Sequence, residues 1–294
     1  MIKSKGLVQT QAGYINPDKV LLWERTRREI RESLEDGSLK AAILPTGSTE
    51  QHNEHLALCT DFAMATLISQ QVALLAYPRA IVSTPCPVGY APYHMGRKGT
   101  LTLRKETFQA YVFDVIESLT AHGIKTVLVV NGHAGNHAPL QESLLEWRDR
   151  LGITLDVVSY WLGYSQEDLE TYVETHRTSK AGVNHAGEFE TSVVQAAWPE
   201  RVRSITMEQY HESNLDYDKE ADPSFASFYM RHFGRPFYGN GTENEADRER
   251  QEQALHSNPE NGLAMIGLAT EYVGGILQNM IHATESKVPW TRQG

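Results

Sequence analysis

The stretch GSTEQHNEHLALCTD, running from Gly47 to Asp61, sets Glu50, His52, Glu54 and His55 close together and ends on Asp61. Imidazole and carboxylate donors at this density suit a divalent cation, and they fit Zn2+, Mn2+ or Fe2+ better than a structural thiolate zinc site. Glu50 and His52 are two residues apart, so in extended backbone they project to one face. An aspartate such as Asp61 can bridge two ions with its two oxygens. A metal pair about 3.5–4 Å apart activates a bridging water and polarises a carbonyl. The spacing of His52, Glu54 and His55 does not fit the H-E-x-x-H or H-x-x-E-H metalloprotease patterns. Taken alone, the stretch reads equally well as a solvated loop.

Two further loops carry the same residue types. NGHAGN presents His133 in a glycine-rich turn that permits close backbone approach. NHAGEFETS carries His185, Glu188 and Glu190. Three such loops make a metal site only if the fold brings them together, so the elements around them decide.

PDKVLLWERTRREIRESLEDGSL reads as an amphipathic helix, with Pro17 near its start and Gly37 at its end. KAAILPTGST follows as a buried strand, Ala41–Leu44, that runs into the first polar loop. DFAMATLISQQVALLA reads as a helix and AIVSTPCPVGY as a strand. KETFQAYVFDVIESLTAHG is helical, and KTVLVVNGHAGN is a strand at Lys125–Val130 ending in the second loop. APLQESLLEWRDRLG is helical again, and ITLDVVSYW is a strand ending at Trp161. Helices and strands alternating in this way predict an α/β fold of three layers, α/β/α, around a mainly parallel sheet. In open α/β sheets ligands sit beyond the carboxyl ends of the strands, which is where the polar loops fall.

A single domain over residues 1–294 is expected. An acidic polar excursion at about 204–260, containing NLDYDKEADPSF and NGTENEADRERQEQ, precedes a buried C-terminal helix in GLAMIGLATEYVGGILQNMIHA. The net charge of −10 argues against a nucleic-acid backbone as partner. No apolar run approaches the roughly 20 residues of a membrane span, and the N-terminus lacks the apolar segment of a signal peptide. Two cysteines, Cys59 and Cys86, are too few for a disulfide framework. A cytoplasmic protein with a small-molecule substrate, and neither nucleic-acid nor membrane partners, is the expectation.

Together LPTGSTEQHNEHLALCTD, NGHAGN and HAGEFETS resemble the creatininase (creatinine amidohydrolase) family, whose pattern runs G-S-x-E-Q-H-G-x-H-L-P-x-x-T-D, N-G-H-x-x-N and H-A-G-x-x-E-T-S. GTLTL at Gly99–Leu103 resembles another of its segments, and the likeness covers about Ala41 to Val202. The resemblance implies two divalent ions per chain, Zn2+ and/or Mn2+ with Fe2+ admitted, held by Glu50, His52, Asp61 and His133, with Asp61 as the bridge. The family's glutamate two residues beyond the N-G-H histidine is missing here, where Ala134 and Gly135 follow His133. Glu188 is the expected replacement and Glu190 the second choice. His185 matches the histidine beside the family's substrate and is assigned proton transfer to the leaving group, with a hydrogen bond fixing the loop as the alternative. Of the two tryptophans around creatininase's substrate, Trp161 supplies one and HRTSKAGVN supplies none. YAPYHMGRKG offers Tyr93, His94 and Arg97 as a polar, cationic substrate rim instead, although His94 and Arg97 equally read as surface or intersubunit residues. Asn53 stands where the family has glycine, the mark of a divergent member.

The resemblance implies a metal-dependent hydrolase whose activated water attacks a carbonyl of a small, cyclic, amide-like substrate. Hydrolytic ring opening of a keto-inositol is the alternative, followed by formamide deformylation, cleavage of a modified peptide, and a non-catalytic metal- or sugar-binding module. It also implies a homo-oligomer, since family members are often hexamers.

Overall fold

A computed structural model describes residues 8–95, 97–164, 184–204, 231 and 249–292. Its centre is a parallel sheet of β3 (Ala41–Thr46), β4 (Ala80–Val82), β5 (Thr126–Asn131) and β6 (Thr154–Ser159), in the order β4-β3-β5-β6. Every residue of β3 and β5 is buried, as parallel strands covered on both faces must be. The sequence supplies the cover by alternation. Ala41, Ile43, Leu128 and Val130 join one core, while Ala42, Leu44, Val127 and Val129 join the other.

The first core is closed by α2 (Thr60–Leu75), α5 (Glu188–Ala197) and α6 (Pro259–Ser286). The second is closed by α3 (Lys105–Ala121) and α4 (Ala134–Leu151), through Phe108, Ile116, Leu140 and Trp147. These are the three expected layers. The chain passes from β3 to its neighbour β4, then crosses back over β3 to β5 on its other side. The carboxyl ends of β3 and β5 therefore open a crevice where the winding reverses, the place such sheets bind ligands.

The structure departs from the sequence expectations at element ends. The helix expected from Pro17 is two short 3-10 turns followed by α1 (Arg27–Glu35). The reason is local: Thr26 and Glu29 form a reciprocal capping box that starts the helix at Arg27. A hairpin, β1 (Val8–Thr10) with β2 (Gly13–Ile15), precedes it. β6 stops at Ser159, and Trp161 lies in a 3-10 turn. Most of the acidic excursion lies outside the described residues. Among the described residues, no helix is long and apolar enough to cross a membrane.

Candidate metal centre

Glu50 and His52 sit in the loop after β3, Asp61 is the second residue of α2, and His133 is the N-cap of α4 directly after β5. The expected turn at NGHAGN is thus already a helix start. Asn131 holds it: its side-chain oxygen accepts from the His133 N–H at 3.1 Å, and its Nδ2 donates to the His133 carbonyl at 2.7 Å. Two glycines let the loops close on α2. A Cβ at Gly47 would lie 2.5 Å from Phe62 Cα, and one at Gly132 would lie 3.1 Å from the Asp61 carbonyl carbon.

This packing aims four side chains at one point. Asp61 Oδ1 lies 3.0 Å from His52 Nε2, and Asp61 Oδ2 lies 3.1 Å from His133 Nδ1. Glu50 Oε2 is also 3.1 Å from His133 Nδ1. All four side chains are buried. Despite these distances, Glu50 Oε2, His52 Nε2 and Asp61 Oδ2 meet no partner in hydrogen-bond geometry. Buried polar atoms left unsatisfied are costly. Carboxylate oxygens and imidazole nitrogens converging this way are the donor set of a divalent transition ion, so the residues present fit the metals that the sequence pattern implies.

The third loop brings Glu190 to the cluster. Glu190 Oε2 lies 3.6 Å from His52 Nε2 and accepts the Ala186 N–H at 2.5 Å. Glu50, His52 and Asp61 form one group of candidate donors, His52, His185 and Glu190 a second, and Glu50, His94 and His185 a third. Glu188 is buried but belongs to none of these groups among the described residues. The resemblance pattern carried the signal, since the glutamate of H-A-G-x-x-E-T-S falls on position 190.

Gln51 orders the two remaining histidines. Its Oε1 accepts the Asn53 N–H at 3.0 Å, which fixes the amide orientation. Its Nε2 is therefore the atom 3.0 Å from His94 Nδ1 and 3.0 Å from His185 Nε2. Both ring nitrogens must accept, so both histidines are neutral, with protons on His94 Nε2 and His185 Nδ1. Those protonated nitrogens face Glu50 Oε1 at 3.4 and 3.6 Å. The two rings stack at 4.5 Å. Asn53 and Ala186, which flank this network, have φ of 52° and 53°. That left-handed conformation explains glycine in the family pattern at 53, and asparagine tolerates it better than most residues.

A cavity of about 490 Å3 opens over the cluster. The sequence-predicted Tyr93, His94, Arg97, Trp161 and His185 all line it. His94 is thus part of the site and not a surface residue. Asn184 and Arg250 also line the cavity, and sequence reasoning missed both. Arg250 comes from the far end of the acidic excursion, where residues 249–254 are helical.

Burial in this site penalises every charge, and neighbouring charges then sort the groups. Burial and Asp61 push Glu50 up, while His133 and His52 pull it back. Burial alone would lower His52 and His133, but the surrounding carboxylates raise each to about 10. Burial would raise Asp61, yet His52 and His133 hold it below the usual carboxylate range. Glu190 rises to about 7, chiefly through burial. Burial, with His52 and His94 beside it, holds His185 well below the usual range. Proton transfer was assigned to His185; its surroundings make it a neutral N–H donor.

Over residues 23–273 the sequence matches the family model for creatininase, described as creatinine amidohydrolase. The chain belongs to the creatininase family. Within it, the chain is 29% identical to the 3-dehydro-scyllo-inosose hydrolase of Thermotoga maritima over 186 residues, which are 63% of this chain and 58% of the relative. It spans less than two thirds of that relative's length. It is 25% identical to the creatinine amidohydrolase of Pseudomonas putida over 194 residues, 62% of this chain and 74% of the relative. The fold superposes on a creatininase crystal structure with a TM-score of 0.66 at 20% identity, covering 92% of this chain and 99% of that one. The two sequence relatives are both named as hydrolases.

Proposed function

We propose that this member of the creatininase family is a dinuclear metal-dependent hydrolase acting on a carbonyl of a small cyclic substrate. The observation that carries the reading is Asp61, whose two oxygens each face a different histidine, His52 and His133. Glu50, His52, Asp61, His133 and Glu190 would hold the ions, with Asp61 as the carboxylate they share. Glu190, two residues from the expected Glu188, would supply the further carboxylate that Gly135 does not.

Two divalent ions held there would supply an activated water and polarise the substrate carbonyl. The chain's own residues do the rest. Gln51 keeps the His185 proton on Nδ1, which faces Glu50 Oε1 at 3.6 Å. Water adds across the bond that breaks: its hydroxyl goes to the carbonyl carbon and its proton to the departing atom, while neutral His185 keeps its Nδ1 proton. Trp161 covers a ring face, while Asn184, Arg97 and Arg250 bind substrate oxygens.

A cyclic amide is the reading the sequence favours. A second reading, hydrolytic ring opening of a hydroxylated cyclic ketone, is favoured by the same polar lining and by the similarity to an inosose hydrolase. The deciding experiment is a panel of cyclic amides, formamides and keto-inositols offered to zinc- and manganese-loaded enzyme. Turnover of cyclic amides supports the first reading, and turnover of keto-inositols alone supports the second. No turnover of any of them with two ions bound would sink the hydrolase reading.

A further inference from the structure

The departure at Gly135 has a structural counterpart across the cavity. A Cβ at Gly135 would lie 2.5 Å from the Tyr90 carbonyl oxygen and 2.6 Å from His133 Nε2, and it would overlap the Tyr93 hydroxyl outright. The Tyr93 hydroxyl therefore occupies the start of the space that a side chain at 135 would need. Glycine at 135 and tyrosine at 93 go together.

The hydrogen bonding around that hydroxyl gives it a direction. His133 Nε2 lies 3.2 Å from the Tyr90 carbonyl oxygen and 3.2 Å from Tyr93 Oη. A carbonyl only accepts, so Nε2 must carry the imidazole proton. Nδ1 is then the nitrogen turned to Glu50 and Asp61, and it would be the one to lose its proton when a metal binds. Tyr93 Oη takes its share of the Nε2–H as an acceptor, so its own hydrogen is available to the cavity that the side chain lines. A neutral O–H donor thus stands where a side chain at 135 would begin.

We propose that Tyr93 is a catalytic residue of this chain: its hydroxyl, placed by Gly135 and His133, donates a hydrogen bond to the substrate oxygen on which negative charge develops. This rests on the hydrolase reading. It also restricts the substrate, because the group docked at this corner must be an oxygen acceptor and not an N–H donor. The hydroxyl keeps its proton throughout, so no bond is made or broken at Tyr93.

The test compares wild-type enzyme with Tyr93→Phe and Gly135→Ala, each loaded with zinc and assayed for metal content. Methylphosphonate, a tetrahedral oxyanion, serves as the binding probe by calorimetry. The expected result for Tyr93→Phe is unchanged metal content, probe affinity weakened about 10-fold or more, and kcat lowered about 10²-fold with KM little changed, as for loss of one oxyanion donor. Gly135→Ala should weaken the probe as well, and combining the two should add little, since both remove one contact. Unchanged probe affinity in Tyr93→Phe at full metal content overturns the proposal, as does a wild-type enzyme that carries metal but ignores the probe. Loss of metal in Tyr93→Phe also overturns it, making the tyrosine a prop for His133. If the wild-type enzyme binds the probe but turns over none of the panel, the hydrolase reading fails separately.

Discussion

Glu190 reaches within 3.6 Å of His52 Nε2, while Glu188, two residues earlier on the same helix, joins no donor group among the described residues. The helix explains the difference. α5 starts at Glu188, and residues two apart on a helix point about 200° away from each other. Only one of the two can face the metal centre. Glu190→Gln is therefore expected to lose about one ion per chain, and Glu188→Gln to keep both, by elemental analysis. The reverse pattern would return the fifth ligand to Glu188.

The Gln51 amide is predicted to fix the tautomers of His94 and His185. Gln51→Leu leaves His94 Nδ1 and His185 Nε2 without their donor and should lower stability by about 1–3 kcal/mol. Nitrogen-15 imidazole shifts report the tautomers directly. Wild-type spectra should show His94 protonated at Nε2 and His185 at Nδ1, and Gln51→Leu should lose that pattern. Identical spectra in the two proteins would contradict the assignment.

His55 should make the fold acid-sensitive without touching the metals. It is buried, with Nδ1 3.0 Å from Gln251 Oε1 and Nε2 2.8 Å from Thr191 Oγ1. Burial holds it at about 4, against an ordinary value of 6.5. Between those values the unfolded chain binds the extra proton, so stability rises with pH there and is lost as pH falls from about 6.5 towards about 4. The effect is on the order of 3 kcal/mol. Urea unfolding at pH 7 and pH 5 should show a smaller pH dependence in His55→Gln than in wild type. Equal dependence would mean that other groups set it.

Asn53 has φ of 52°, so its side chain is tolerated by the backbone and not demanded by it. Asn53→Gly should fold with stability close to wild type and retain its metals. Asn53→Val should cost about 1–2 kcal/mol in thermal or chemical unfolding, the penalty of a side chain forced into left-handed backbone. A valine variant as stable as wild type would show that the loop relaxes instead.

Much of this was legible in the residues. The alternation of buried strands and helices fixed the layers, because fully apolar runs such as Ala41–Leu44 can be covered only on both faces. That polar loops follow β3 and β5 was legible from the strand pattern, while Glu50, His52, Asp61 and His133 as a ligand set came only from the family resemblance. Glu190 stood as the second choice behind Glu188, since choosing between them needs the phase of α5, which begins only after Gly187. Arg250 was not legible at all. It lies far along the chain from the other cavity residues, in a polar stretch without apolar period, and long-range packing alone delivers it. The start of α1 was misplaced because the apolar spacing from Val20 outweighed the Thr26–Glu29 capping box.

The central claim is that Asp61 bridges two ions, and metal content per chain tests it most directly. Protein purified without chelator and reconstituted with zinc or manganese should carry two equivalents. Asp61→Asn should lose both, whereas Glu190→Gln should lose one. A single equivalent in the wild type, or two equivalents that survive in Asp61→Asn, would contradict the bridged dinuclear site.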